Sequence, residues 1–261
     1  IVEEVTGAAP GRLHDVLVDL ATERGVARFD SMVERRLAGE PLQYVLGRWG
    51  FRTLDLMVDP RVLIPRPETE VVAGLAIDVL RGRSAIADRD LLVADLGTGS
   101  GAIALSIAAE CAATRVMATD ASPDALAVAR ANLAGIGRCA TRVSLHEGSW
   151  FDALPGAVQG SLDVVISNPP YVADGDHLPD VVDAWEPSTA LRAGPDGLDD
   201  LAVIVADAPR WLAAGGTLVL EMAPDQTDTV ATWTRDAGLD PTVHLDLAGR
   251  ARAVVAHKPA E

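Results

Sequence analysis

The chain is poor in cysteine, in positive charge and in long apolar runs, and each shortage excludes a class of protein. Its two cysteines, Cys111 and Cys139, are far apart and belong to no CxxC pair. That excludes a disulfide framework and a cysteine-rich zinc site, and it fits a reducing compartment. The five histidines (His14, His146, His177, His244 and His257) show no ligand spacing, so no metal is expected. The longest candidate apolar stretch, Ala102 to Ala109, stops at Glu110. It falls well short of the ~18 residues a membrane span needs, so no membrane association is expected. The opening residues IVEEVTGAAP lack the basic patch and apolar block of a signal peptide, and the cytoplasm is the expected location. Lys and Arg number 22 against 38 Asp and Glu, giving a formal charge of −16 and a pI near 4.6. Such a surface repels phosphate backbones, which argues against direct nucleic-acid binding. It suits a basic protein partner or a small cationic ligand.

What is present is a chain of 261 residues, 49% hydrophobic, long enough for a large domain and a small one. From about Gly11 to Gly47 the apolar residues of RLHDVLVDLATERG and FDSMVERRLAGEPLQYVLG recur three and four apart, which predicts helices. Trp49 to Pro67 alternates and carries three prolines, as a hairpin or extended connector does. A helix is predicted from Pro67, with Glu68 and Glu70 favouring its dipole in the first turn. From Leu91 onward strands and helices alternate: strand LLVADLG, helix AIALSIAAECA, strand TRVMATD, helix SPDALAVARANLAG capped by Ser122, strands RVSLHEG and LDVVISN, helix LDDLAVIVADAPRWLAA, strand GGTLVLEM and helix DQTDTVATWTRDAG. A final pair, TVHLDLA and RAVVAHK, predicts an antiparallel edge on a mostly parallel α/β sheet with helices on both faces.

A sheet of this kind binds ligands at the carboxyl ends of its strands. The first such end is Asp95-Leu-Gly97-Thr98-Gly99-Ser-Gly101-Ala, between a strand and a helix. Its glycines let the backbone approach a nucleotide, and Asp120, ending the next strand, is placed to accept from ribose hydroxyls. Gly97-x-Gly99-x-x-Ala102 also satisfies the dinucleotide pattern, so a NAD-binding protein competes with an S-adenosylmethionine site. Asp95 would crowd a pyrophosphate with negative charge but suits a sulfonium or ammonium group. The loop alone leans to the methyl donor.

The second end is Asn168-Pro169-Pro170-Tyr171. An amide or exocyclic nitrogen is a poor nucleophile because its lone pair is delocalised. Acceptors that hold its two N–H groups would aim its lone-pair face at a methyl carbon. Asn168 supplies a side-chain oxygen, Pro169 a carbonyl on a stiff backbone, and neither proline offers a competing N–H. Tyr171 supplies an aromatic face beside the substrate or the cationic centre.

With these motifs in view the sequence resembles the HemK/PrmC-type protein-(glutamine-N5) methyltransferases, which modify the GGQ glutamine of class I peptide-chain release factors. The resemblance runs through RRLAGEPLQYVLG (Arg35 to Gly47), LIPRPETE (Leu63 to Glu70), DLGTGSGAIAL (Asp95 to Leu105), SNPPY (Ser167 to Tyr171), EPSTAL (Glu186 to Leu191), DGL (Asp196 to Leu198) and Glu221 with Gln226. NPPY is shared with adenine-N6 methyltransferases, whereas LIPRPETE before the glycine loop is the more specific signature.

The resemblance implies a class I, Rossmann-like methyltransferase domain at 68–261, a hairpin linker at 49–67 and a helical substrate-recognition domain at 1–48. The chain starts at Ile1 rather than Met, and that domain is expected to be short by a helix. By position, Asp95, Gly97, Thr98, Gly99, Gly101, Asp120, Trp150 and Asn168 would hold S-adenosylmethionine. Asn168, Pro169, Pro170 and Tyr171 would hold the target amide, bordered by Arg66 and Glu68. A release factor is the implied partner and a monomer the implied state. The sequence departs from the pattern at Ser149, where an acid is common near the adenine, at Trp185 and at Ala223. The alternatives are a nucleic-acid amine, a ribosomal-protein glutamine, or a non-catalytic nucleotide-binding module.

Overall fold

The computed structural model describes every residue except Pro10, Leu17, Asp19 and Glu261. The N-terminal part holds helix α1 (Val2–Thr6), a single 3-10 turn at Leu13–Val16, helix α2 (Glu23–Leu37) and the short α3 (Leu42–Leu46). The continuous helix expected through RLHDVLVDLATERG is not formed. Thr22 is extended (φ −80, ψ 150) and its hydroxyl accepts from the Gly25 N–H at 3.0 Å, so it caps α2 instead of continuing a helix. Leu17 and Asp19 of that stretch lie outside the described residues.

Strands β1 (Arg48–Phe51) and β2 (Leu54–Met57) pair antiparallel, as the alternating connector predicts. The chain then turns at 59–62, where the Val62 N–H donates to the Asp59 carbonyl at 3.1 Å, and helix α4 (Pro67–Ser84) starts on Pro67 with Glu68 and Glu70 in its first turn. The connector is held from both sides. The Tyr44 hydroxyl of α3 donates to the Val62 carbonyl at 2.6 Å, and Tyr44, Val58, Val62 and Ile64 share one buried cluster.

The remainder is built from β3 (Leu91–Leu96), α5 (Ala102–Glu110), β4 (Thr114–Asp120), α6 (Pro123–Gly135), β5 (Val143–Glu147), β6 (Leu162–Ser167), the one-turn α7 (Asp180–Asp183), α8 (Asp199–Trp211), β7 (Leu212–Glu221), α9 (Thr227–Asp236), β8 (Asp240–Leu245) and β9 (Ala251–His257). Seven strands form one sheet in the order β5-β4-β3-β6-β7-β9-β8. The first five are parallel, and β9 runs antiparallel to both its neighbours, which is the predicted edge. One boundary moves. Leu212 leaves α8 extended (φ −69, ψ 137) to pair with Leu162, so the chain passes from helix to strand three residues earlier than LDDLAVIVADAPRWLAA implied.

The core shows why these segments are strands. Val93, Val116, Ala118, Val164, Ile166 and Val219 point into one buried layer with α4 and α5. Their neighbours Ala94, Met117, Val165, Leu218 and Leu220 point into the other, with α8 and α9. Burial on both faces turns period-two strands into near-continuous apolar runs. The order reverses at β3, flanked by β4 on one side and β6 on the other. That crevice at the strands' carboxyl ends is where open α/β sheets take their ligands.

Candidate active site

At the end of β3 the chain turns through Gly97, Gly99 and Gly101, with φ of +72, +55 and +85. A side chain at Gly97 would be strained by that φ, and its Cβ would lie 3.2 Å from Cζ3 of Trp150. At Gly101 a Cβ would lie 3.0 Å from Cδ1 of Leu105, so this glycine closes the loop onto α5. Asp95 is 1% exposed, and its Oδ2 accepts from the Thr98 hydroxyl (2.7 Å) and the Ala104 N–H (3.0 Å). Its Oδ1 is buried without a partner. Burial pushes the Asp95 carboxyl up to about 7.

Asp120 accepts from the Gly99 N–H at 2.8 Å and the Ser122 N–H at 2.9 Å, one on each oxygen. Each oxygen keeps capacity for a further donor such as a ribose hydroxyl. Trp150 stands opposite with φ 46, a left-handed conformation uncommon outside glycine. Its position is secured on two sides. Asp200 lies beside its indole on the same cavity wall, and the next residue, Phe151, stacks on Trp211 at 5.5 Å between ring centroids. These groups enclose a cavity of about 290 Å³, walled by Gly97, Gly99, Asp120, Ser149, Trp150 and Asn168 among others. Asp95, Thr98 and Gly101 lie behind that wall and shape it.

The Asn168-Pro169-Pro170-Tyr171 turn leaves β6 beside this cavity. A second cavity, of about 310 Å³, is walled by Arg66, Asn168, Pro169, Tyr171, Leu178 and Val182 among others. Leu63, Asn168 and Ala190 belong to the walls of both. Asn168 is therefore the polar side chain at the junction, while Pro170 faces the first cavity and Pro169 the second.

The turn is held from a distance. The Asn168 Nδ2 donates to the Thr69 hydroxyl at 3.1 Å. The Tyr171 carbonyl accepts from Nε2 of Gln226 at 2.9 Å, and the Gln226 side chain also reaches the carbonyl of Gly197. The Tyr171 hydroxyl points at Oε1 of Glu221 across a long 3.4 Å. Burial raises the Tyr171 phenol, helped by the Glu221 charge, so it stays neutral at physiological pH. Arg66 is the extended N-cap position of α4, and it pairs with Glu186, whose other oxygen accepts from the Ile64 N–H at 3.0 Å. The turn before α4 is thus both a plain helix start and part of the second cavity's wall. Glu68 is turned elsewhere: it pairs with Arg250 at 3.0 Å and walls neither cavity.

Residues 83–186 match the Methyltransferase small domain, and residues 1–47 match the PrmC N-terminal domain. The chain is 43% identical over 233 residues to the "Release factor glutamine methyltransferase" of Xylella fastidiosa (strain 9a5c), covering 88% of this chain and 81% of that protein. It is 40% identical over 236 residues to the protein of the same name from Streptomyces coelicolor, covering 89% and 81%. The chain belongs to the release factor glutamine methyltransferase family. A solved methyltransferase from Pyrococcus furiosus, 16% identical, shares the fold with a TM-score of 0.57 over 88% of this chain and 100% of that one.

Family membership makes the protein an S-adenosylmethionine-dependent enzyme with a class I methyltransferase fold, and the first cavity fits that donor. Its wall carries a carboxylate with free acceptor capacity, an aromatic side chain and close backbone approach at two glycines. Behind it stands a buried carboxyl oxygen with no partner, which suits a cationic ligand better than a pyrophosphate. Several residues at the site belong to no motif that carries chemistry by itself. Thr69 was hidden inside a helix start, and Glu186, Glu221 and Gln226 stood only in segments of family resemblance. Leu63 stood only as the first residue of LIPRPETE, and Asp200 carried no local signal at all.

Proposed function

We propose that the chain methylates the side-chain amide nitrogen of the GGQ glutamine in a class I peptide-chain release factor. The observation that carries this reading is Asn168, the polar side chain common to both cavities. The first cavity takes S-adenosylmethionine against Gly97, Gly99, Asp120 and Trp150, and the donor supplies an electrophilic methyl group on a cationic sulfur. The second takes the glutamine side chain, with Arg66, Pro169 and Tyr171 around it. Asn168 accepts an N–H of the incoming carboxamide through its oxygen, which orients the nitrogen and favours the positive charge it gains. Pro169 and Pro170 have no N–H to compete for that place. Tyr171, neutral and half-buried, keeps water from the reacting nitrogen.

The matched N-terminal segment and the β1–β2 hairpin after it support a division into a recognition part at 1–48, a linker at 49–67 and a catalytic part at 68–261. A surface carrying −16 suits a basic protein substrate better than nucleic acid. Among the described residues no helix is long and apolar enough to cross a membrane, and we place the reaction in the cytoplasm, where release factors act. Incubation with a release factor and labelled donor, followed by peptide mass spectrometry, should put the label on the GGQ glutamine. An unlabelled peptide from enzyme that still binds the donor would sink the assignment.

A further inference from the structure

The carboxamide of Asn168 is useful only one way round. Its oxygen and NH2 group are nearly the same size, so packing alone does not choose between them. With the oxygen toward the second cavity it can accept from a substrate amide. With the NH2 group there, two donors would face each other and the incoming amide would lose its acceptor. The selection has to come from the neighbours of Asn168.

Those neighbours form a chain across three elements. Asn168 follows β6, and Ser167 pairs with Leu220 in β7, which brings Asn168 level with Glu221 at the end of that strand. Thr69, in the first turn of α4 and 4% exposed, sits between them. Its hydroxyl accepts from Asn168 Nδ2 at 3.1 Å. The hydroxyl has one proton, and the Glu221 carboxyl faces it with an Oε2 that is buried without a hydrogen-bond partner. Burial raises this carboxyl to about 7, so above pH 7 it is mostly ionised and only accepts. In that form it draws the hydroxyl's hydrogen bond toward itself, leaves the hydroxyl as an acceptor for Asn168, and holds the Asn168 NH2 group inward.

We propose that Thr69 and Glu221 are positioning residues that set the orientation of the Asn168 carboxamide, so that its oxygen faces the substrate amide. The proposal rests on the glutamine-methylating reading of the site. Glu221 is 1% exposed, and the groups that face it are the Thr69 hydroxyl and Glu68 from α4, the Tyr171 hydroxyl from the turn after β6, and Arg252 from β9. Arg252 donates its Nη1 to the Met222 carbonyl at 3.0 Å and brings positive charge beside the carboxylate. Neither Thr69 nor Glu221 walls either cavity, so they act through Asn168 and not on the substrate.

The test compares Thr69→Val, which keeps the volume and removes the hydroxyl, with Thr69→Ser, which restores it. Thr69→Val should lower kcat about 10- to 100-fold, the cost of an unmade hydrogen bond in a buried site. Donor affinity and KM for the release factor should stay within about twofold, and Thr69→Ser should recover kcat to within about threefold. Glu221→Gln should fall in the same direction. An unchanged kcat in Thr69→Val, a Thr69→Ser variant as poor as the valine, or a loss confined to donor affinity would each overturn the proposal. A second arm needs no substrate: the side-chain amide signal of Asn168, assigned by its loss in Asn168→Ala, should move in Thr69→Val and in Glu221→Gln. If it stays in place the proposal fails, even where the wild type labels its substrate. Wild-type enzyme that leaves the GGQ glutamine unlabelled would overturn the functional reading alone, and the signal would still decide the orientation.

Discussion

The two halves of the site are built from different kinds of sequence. The donor half is local: Asp95 is bonded to Thr98 and Ala104, three and nine residues on, and Gly99 to Asp120, separated by 21. The acceptor half is assembled from afar. Asn168 meets Thr69 at a separation of 99 residues, Ile64 meets Glu186 at 122, and Tyr171 meets Gln226 at 55. A donor loop encoded in one strand–turn–helix forms wherever that unit folds. The acceptor turn needs α4, β6, β7 and the 186–191 segment in place together. Damage to the first should stay in donor binding, while damage behind the second should spread from turnover to stability.

The sharpest break of that comparison is Asn168→Ala. It removes the side chain at the junction, and turnover should fall at least about 100- to 1,000-fold, the scale seen for a lost charge-stabilising contact. Donor affinity, measured by calorimetry, should stay nearly the same because the glycine loop and Asp120 are untouched. A large loss of donor binding would place Asn168 in the donor half instead. Glu186→Gln comes next. Its carboxylate is buried against Arg66 and the Ile64 N–H, and losing the charge leaves a half-buried guanidinium short of its partner. Denaturant unfolding should show a loss of roughly 3 kcal/mol, and KM for the release factor should rise while donor affinity holds. A variant as stable as the wild type would mean that the Arg66–Glu186 pair adds nothing to the acceptor half.

The same contrast explains what could be read from the residues alone. The strand–turn–helix at Asp95 to Glu110, the helix start on Pro67, the Ser122 cap and the antiparallel C-terminal edge all show locally, and each is observed. Apolar spacing failed in RLHDVLVDLATERG because it records which faces want burial, whereas Thr22 decides where the backbone is capped. The partners of the acceptor turn were beyond reach for a physical reason. No local spacing encodes a contact made across 99 residues, and Thr69 in LIPRPETE reads as an ordinary first-turn residue until the sheet sets Glu221 beside it. Glu68, next to Thr69 in the same motif, is turned outward to Arg250, and periodicity at a helix start does not distinguish the two.

Gly97→Ala sharpens the donor side of the comparison with a smaller effect. A φ of +72 costs an alanine about 1–2 kcal/mol, and the new methyl would press on Trp150. Donor affinity should drop about tenfold, with kcat at saturating donor nearly unchanged. Unchanged donor affinity, or a fall in kcat alone, would show that the loop does not belong to donor binding in the way its geometry implies.

The smallest effect is a slope in stability with pH, because each half carries one buried acid whose carboxyl is raised into the neutral range. Burial pushes Asp95 behind the donor loop and Glu221 behind the acceptor turn up to about 7 in each case. A carboxyl whose folded value is raised holds its proton more tightly folded than unfolded. The stability it contributes is therefore complete below the ordinary carboxylate range and is lost as pH rises through 7. Between about pH 6 and about pH 8 each should remove roughly 1 kcal/mol from the donor-free protein. The carboxylates held low by arginine, Asp163 with Arg89 and Glu110 with Arg52, titrate far below that window and slope the other way. Asp95→Asn and Glu221→Gln should each flatten part of the slope in urea unfolding at the two pH values. Glu221→Gln should also change turnover through Asn168, whereas Asp95→Asn should leave the acceptor turn's Asn168 amide signal where it was. A slope untouched by either substitution would mean that neither acid titrates in this window, and the two halves would then differ in their wiring but not in their charge.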